Sequence, residues 1–188
     1  MPHTVNQTPD FTAAWDFIRW ADNRMLAAAG TIADPAEYFR DRGISHGSVH
    51  KLLHHMMSGQ AGWLNAWRGS PDPSLPDTSA NACPDLAAIV RAWPGVHRAV
   101  GAFIGGLSPD QLSRDVRFLR QGREIVLPLD AAIRHLIDHT AYHRGQLNTL
   151  VKLAGGRSVW LSYWVYAMRL HPQAGGVTDA DFMFYTPP

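Results

Sequence analysis

The sequence predicts an all-α fold: a four-helix bundle with a small β-hairpin before the last bundle helix. Two observations carry this. Four long stretches repeat their apolar residues at helical spacing, whereas only one short stretch alternates around a Gln-Gly pair. Bundles of this kind build metal and ligand sites from core-facing side chains on neighbouring helices. Polar residues that fall on the apolar stripes are therefore where function should show.

The first helix is expected from Phe11 to Ala29, after Thr8-Pro9-Asp10 with Asp10 as N-cap. Phe11, Trp15, Ile18, Leu26 and Ala29 share one face, and Asp22 falls on it too. A carboxylate there is either a partner for the histidine cluster of the last bundle helix or a charge that reaches water near a bundle end. Gly30 ends the helix. Residues 31–46 form a connector, with a short turn around Ala36 to Arg40. The second helix runs from Ser48 to Trp67, with Val49, Leu52, Leu53, Met56, Trp63, Leu64 and Trp67 in its apolar arc. His54 falls on the far side and reads as solvent-facing. His55 flanks the arc beside Gly59 and Gly62, which leaves either room for a ligand or a close helix–helix approach. His46, His50 and His54 form an i, i+4, i+8 series, but it drifts to the polar side and is not read as a site.

Residues 68–84 form a long loop rich in Pro, Ser and Asp. Cys83, the single cysteine, lies in it and reads as a linker residue, so no internal disulfide is possible. A third helix follows from Asp85 to Ile104, with Leu86, Ile89, Val90, Trp93, Val96 and Val100 toward the core and Pro94 as a kink or irregular turn. Ser108-Pro109-Asp110 opens a brief turn. Asp115 to Pro128 alternates around Gln121-Gly122 and reads as the hairpin.

Asp130 to Ala154 then forms the last bundle helix. With about 100° of turn per residue, Ala132, Ile133, Leu136, Leu147, Leu150 and Val151 fall in one apolar arc. Arg134, Asp138, Asn148 and Lys152 lie opposite. His139 and His143 sit inside the arc and His135 at its edge. One imidazole on a core stripe is ordinarily a hydrogen-bonded core residue. Two at i, i+4, whose rings project from adjacent turns toward one point, point instead to a metal ion. A further ligand should come from another helix, and His55 is the best placed by phase. Three neutral imidazoles with open coordination positions describe a catalytic type of site, and nitrogen donors suit zinc or nickel.

Composition narrows the classes. The 188 residues suit one domain over 1–188, the bundle spanning about 10–155 and the aromatic segment 156–188 packed on it or offered to a partner. A net charge of +1 with no basic run gives no footprint for nucleic acid. No apolar run is long enough to span a membrane, and the N-terminus has no signal pattern, so a cytoplasmic protein is expected. Histidine is abundant, with ten, whereas Glu37 and Glu124 are the only glutamates. Acid–base chemistry must therefore lean on His, Asp or an ion.

The segment HLIDHTAYHRGQL resembles the signature of the DinB/YfiT-like superfamily of bacterial metal-binding bundles. SVHKLLHHMMSGQAGWLNAW resembles that family's second helix, in which a His precedes a Trp by eight positions, as His55 precedes Trp63. Trp20-Ala21-Asp22-Asn23-Arg24 and the hairpin are also similar. The resemblance implies a divalent metal held by His55, His139 and His143, with His135 outside the ligand set and Gln146 as a hydrogen-bond partner near the metal face. It also implies a homodimer; Trp20, Phe103 and the Trp160–Trp164 segment are the surplus apolar residues for such an interface.

Relatives include transferases that use low-molecular-weight thiols and an isomerase. The expected function is therefore a metal-dependent enzyme of thiol-dependent S-transferase type, acting on a small electrophile. The alternatives are a metal-dependent hydrolase and a non-catalytic stress protein that binds metal or a small molecule. The Trp-rich C-terminal part and the 68–84 loop depart from the family pattern and are expected to shape the pocket.

Overall fold

The computed structural model describes residues 10–171 and 176–185; Thr8, Pro9 and the last residues of the C-terminal segment lie outside them. The long helices are α1 (Phe11–Ala29), α3 (Val49–Arg68), α4 (Leu86–Gly105) and α5 (Leu129–Leu153), with a short α2 (Pro35–Phe39) in the first connector. Strands β1 (Asp115–Arg120) and β2 (Arg123–Pro128) form the antiparallel hairpin, and α6 (Tyr163–Ala167) lies in the C-terminal segment. Each long helix packs against two others in a closed ring, α1–α5–α3–α4. None is long and apolar enough to cross a membrane.

Side-chain caps start three of the four. Asp10, Ser48 and Asp85 accept from the backbone N–H groups of Ala13, Lys51 and Ala88, satisfying donors that have no partner within the helix. The fourth start has no such cap. Instead the Leu129 N–H donates to the Arg114 carbonyl at 2.9 Å, closing the hairpin base and fixing where α5 begins. The hairpin turn itself is tight because Gln121 (φ 52°) and Gly122 (φ 73°) both take left-handed backbone.

Pro94 does not interrupt α4. Its ring removes the hydrogen bond to Val90, and Val90 is 45 % exposed, so the loss falls on the side open to water. Val90 is accordingly not a core residue, contrary to its expected place. The core runs between the helices, filled by Ile18, Leu52, Leu53, Leu64, Trp67, Trp93 and Leu150 among others.

After α5 the chain turns back along α1. The Asn148 side chain holds both backbone groups of Val159, at 3.0 and 3.1 Å. Trp20 and Ala21 bury themselves against Val165 and Tyr166. Arg24 clamps the segment by donating to the carbonyls of Phe182 (2.8 Å) and Asp179, and Trp20 donates to the Asp179 carboxylate at 2.9 Å. Trp20 is thus covered by its own chain rather than offered to a partner. Phe103 is partly covered, stacked on Trp67 beneath the guanidinium groups of Arg68 and Arg114. Tyr163 and Trp164 remain exposed.

Candidate metal centre

Helices α3 and α5 run side by side, and their facing turns bring together the three histidines expected from the sequence. His139 Nε2 lies 3.3 Å from His55 Nε2 and 3.1 Å from His143 Nε2. Donors about 2.0–2.1 Å from a tetrahedral ion sit roughly 3.3–3.4 Å from each other, so these separations suit a shared ion. Gly59 faces the centre from α3, and a Cβ added there would make an ordinary 3.9 Å contact with His139 Cε1.

The tautomer of His143 follows from its neighbour. Gln146 Oε1 accepts from Ser45 Oγ and lies 2.8 Å from His143 Nδ1, so that nitrogen carries the proton. The Nε2 lone pair of His143 is then left facing the other imidazoles, as a ligand requires. Gln146 therefore sits where the resemblance implied.

His46 was missed. It lies in the connector, where helical phase has no meaning, yet its ring stacks on His55 at 3.9 Å and approaches His143 at 5.1 Å. One nitrogen from each of His46, His55 and His143 lies within 4.8 Å of the others, positioned to hold a metal ion. Left-handed backbone at Ser45 (φ 52°) and Gly47 (φ 91°) flanks His46, whose ring reaches His55 although the residue stays exposed. The i, i+4, i+8 series thus splits: His46 joins the centre, His50 lies 3.2 Å from the Tyr38 hydroxyl, and His54 Nε2 binds the Thr78 carbonyl at 2.9 Å. His54 is half-buried and ties the 68–84 loop to α3, rather than facing solvent. The signal available for His46 was its place immediately before the Gly47-Ser48 helix start.

His135 is exposed, with its ring 4.9 Å from Trp63 and 5.5 Å from His139. Asp22 matches neither of its expected roles. It is fully buried, accepts from Gln60 Nε2 at 2.7 Å, and faces His97 Nε2 at 3.2 Å and Arg144 at 3.7 Å. Cys83 is buried with its thiol pushed up by burial, consistent with an inert linker residue.

Beside the histidines opens a cavity of about 590 Å³, between α3, α5 and the hairpin. Trp63, Phe118, Ile125 and Leu127 make it apolar, and His55 and His139 stand at its edge. Among the described residues, neither the C-terminal segment nor the 68–84 loop lines it, so for these residues the expectation that they shape the pocket is not met.

Burial, then the neighbouring imidazoles, push His55 and His139 down to about 4, and burial and His143 lower His46 as well. Both rings are thus neutral at pH 7, as donors must be. The sign for the metal-free protein follows. Unfolded histidine titrates near about 6.5, so between that value and about 4 the unfolded chain binds more protons. Stability should fall as pH drops through this window, each group contributing a slope of at most about 1.4 kcal/mol per pH unit. Urea melts of metal-free protein at pH 4.5, 5.5 and 7 check this. A His139→Gln protein showing the same slope would mean that the ring is not desolvated.

A family model described as DinB family matches residues 15–173. No curated protein matches the chain.

Proposed function

The chain belongs to the DinB family, and from that premise we propose that it is a metal-dependent enzyme transferring a low-molecular-weight thiol to a small electrophile. The observation that carries this is that His139 Nε2 lies 3.3 Å from His55 Nε2 and 3.1 Å from His143 Nε2, beside an apolar cavity. His55, His139 and His143 would hold the ion, with zinc or nickel matching the nitrogen donors. Bound there, a divalent ion supplies Lewis acidity that favours a thiolate over its thiol.

The chain's own residues do the rest. Gln146 fixes the tautomer of His143. Trp63 and Phe118 give an electrophile an apolar seat and exclude water from it. In the transfer a sulfur–carbon bond forms, the carbon–leaving-group bond breaks with its electron pair, and the thiol proton passes to solvent. Hydrolysis is less well supported, because among the described residues no carboxylate lines the cavity to take a proton from water, which leaves His135 as the base outside the proposed ligand set.

One observation favours the non-catalytic reading: His46 is a fourth imidazole, and four nitrogen donors would close a tetrahedral ion. The deciding experiment uses protein purified without an affinity tag, analysed for its elements, then loaded with zinc or nickel. Thiols such as cysteine and glutathione are paired with an alkyl halide or an epoxide, and thioether product is read by mass spectrometry. Product that requires ion and protein together is expected. Tightly bound metal with no product from any pair would leave the non-catalytic reading standing.

A further inference from the structure

The hairpin breaks a pairing rule at its tip. Residues directly opposite across an antiparallel pair project to the same face, and like charges placed so are destabilising. The register sets Arg120 opposite Arg123, with Phe118 opposite Ile125 and Val116 opposite Leu127 along the same face. That face is the inner one, because Val116 is buried and Phe118, Ile125, Leu127 and Arg120 line the cavity. Among the described residues, neither Arg120 nor Arg123 has an acidic side chain within ion-pair distance. On the outer face the contrast is plain: Arg117 lies 3.3 Å from Glu124 and 4.0 Å from Asp115. The tight Gln121-Gly122 turn sets the two residues opposite one another, Arg120 lining the cavity and Arg123 next to it at the tip.

The rest of the cavity is complementary to such a rim. Its walls are apolar and no carboxylate lines it among the described residues. Its α3 side is open because Gly59 and Gly62 carry no side chain; nothing lies within 4 Å of where a Gly62 Cβ would stand. A cavity of about 590 Å³ accommodates a molecule of modest size.

We propose that the cavity binds a small molecule with an aromatic or branched apolar body and a terminal carboxylate, the carboxylate held by Arg120 and Arg123 at the hairpin tip. Arginine suits this role because its planar fork meets a carboxylate with two hydrogen bonds. The bound anion also removes the repulsion between the two guanidinium groups, so binding and hairpin order reinforce each other. The proposal rests on the metal-enzyme reading only for what the far end of the molecule meets at the histidines; the carboxylate seat needs no ion.

The test uses the full chain with two probes of equal shape, 4-phenylbutyrate and 4-phenylbutyramide. Both are titrated into metal-free and zinc-loaded protein at low salt, read by tryptophan fluorescence and by calorimetry. The carboxylate is expected to bind the metal-free protein about tenfold more tightly than the amide, a difference of about 1.4 kcal/mol. Arg120→Gln and Arg123→Gln should each shrink that ratio, and the double variant should abolish it. Gly62→Leu should weaken both probes by about tenfold or more, with a thermal melt showing an intact fold. Equal binding of acid and amide, or a preference that survives the double variant, would overturn the proposal. So would a carboxylate preference seen only with zinc, since the anion would then be seated on the ion. Loss of zinc binding without change in the probe ratio would instead remove the metal reading and leave this one intact.

Discussion

Asp22→Ala is expected to be among the most damaging single substitutions in the bundle, costing about 3–5 kcal/mol of stability. Asp22 on α1 accepts from Gln60 on α3, and Gln60 in turn accepts from Trp93 on α4 at 2.7 Å. His97 on α4 and Arg144 on α5 face the same carboxylate. One buried side chain thus ties all four long helices. Burial pulls the Arg144 guanidinium below its ordinary value, and the Asp22 carboxylate opposes that pull. Without Asp22 the cation is left uncompensated in the core. Replacing both partners, Asp22→Leu with Arg144→Met, should recover part of the loss, because no lone charge then remains buried. Urea denaturation measures each variant. A loss under about 1 kcal/mol for Asp22→Ala would show that this pair does not hold the bundle together.

His139→Ala should lower metal affinity by more than about 100-fold, beyond the loss typical of removing a partner that only orients a ligand. Its Nε2 lies close to both others, and its loss leaves only the looser His46–His55–His143 group, whose nitrogens lie within 4.8 Å of one another. His55→Ala and His143→Ala should behave alike. His54→Ala should leave binding almost unchanged, because that ring is engaged with the Thr78 carbonyl. His135→Ala should fall between, through its packing on Trp63 near His139. Zinc titration against a competing chelator gives the affinities. Full occupancy in the His139→Ala protein would reject this ligand set. If His46→Ala abolished binding instead, the ion would belong to the His46–His55–His143 group.

Periodicity reports the direction in which a residue points from its own helix, and that was enough for much of this structure. The stripe from Phe11 gave the limits of α1, and the stripe around Leu136 and Leu147 placed His139 and His143 toward the core. Periodicity says nothing about what stands opposite. Asp22 was correctly assigned to the core face of α1, yet its partners Gln60, His97 and Arg144 lie on three other helices. Arg144 was recognised only as part of a motif, not as the far half of a buried ion pair. His46 lies in a connector with left-handed backbone on either side of it, and no repeat encodes that. His54 was assigned to solvent because the loop that covers it has no helical phase of its own.

The hairpin closed by the Leu129–Arg114 backbone bond has an evolutionary consequence. The imidazoles belong to α3, α5 and the connector, whereas one cavity wall and its cationic rim belong to residues 115–128 alone. If the cavity binds as proposed, changes in those fourteen positions would alter what it accepts without touching the residues that bear the histidines. Grafting 115–128 from one relative to another should then move selectivity, provided the buried place of Val116 in the bundle core is kept.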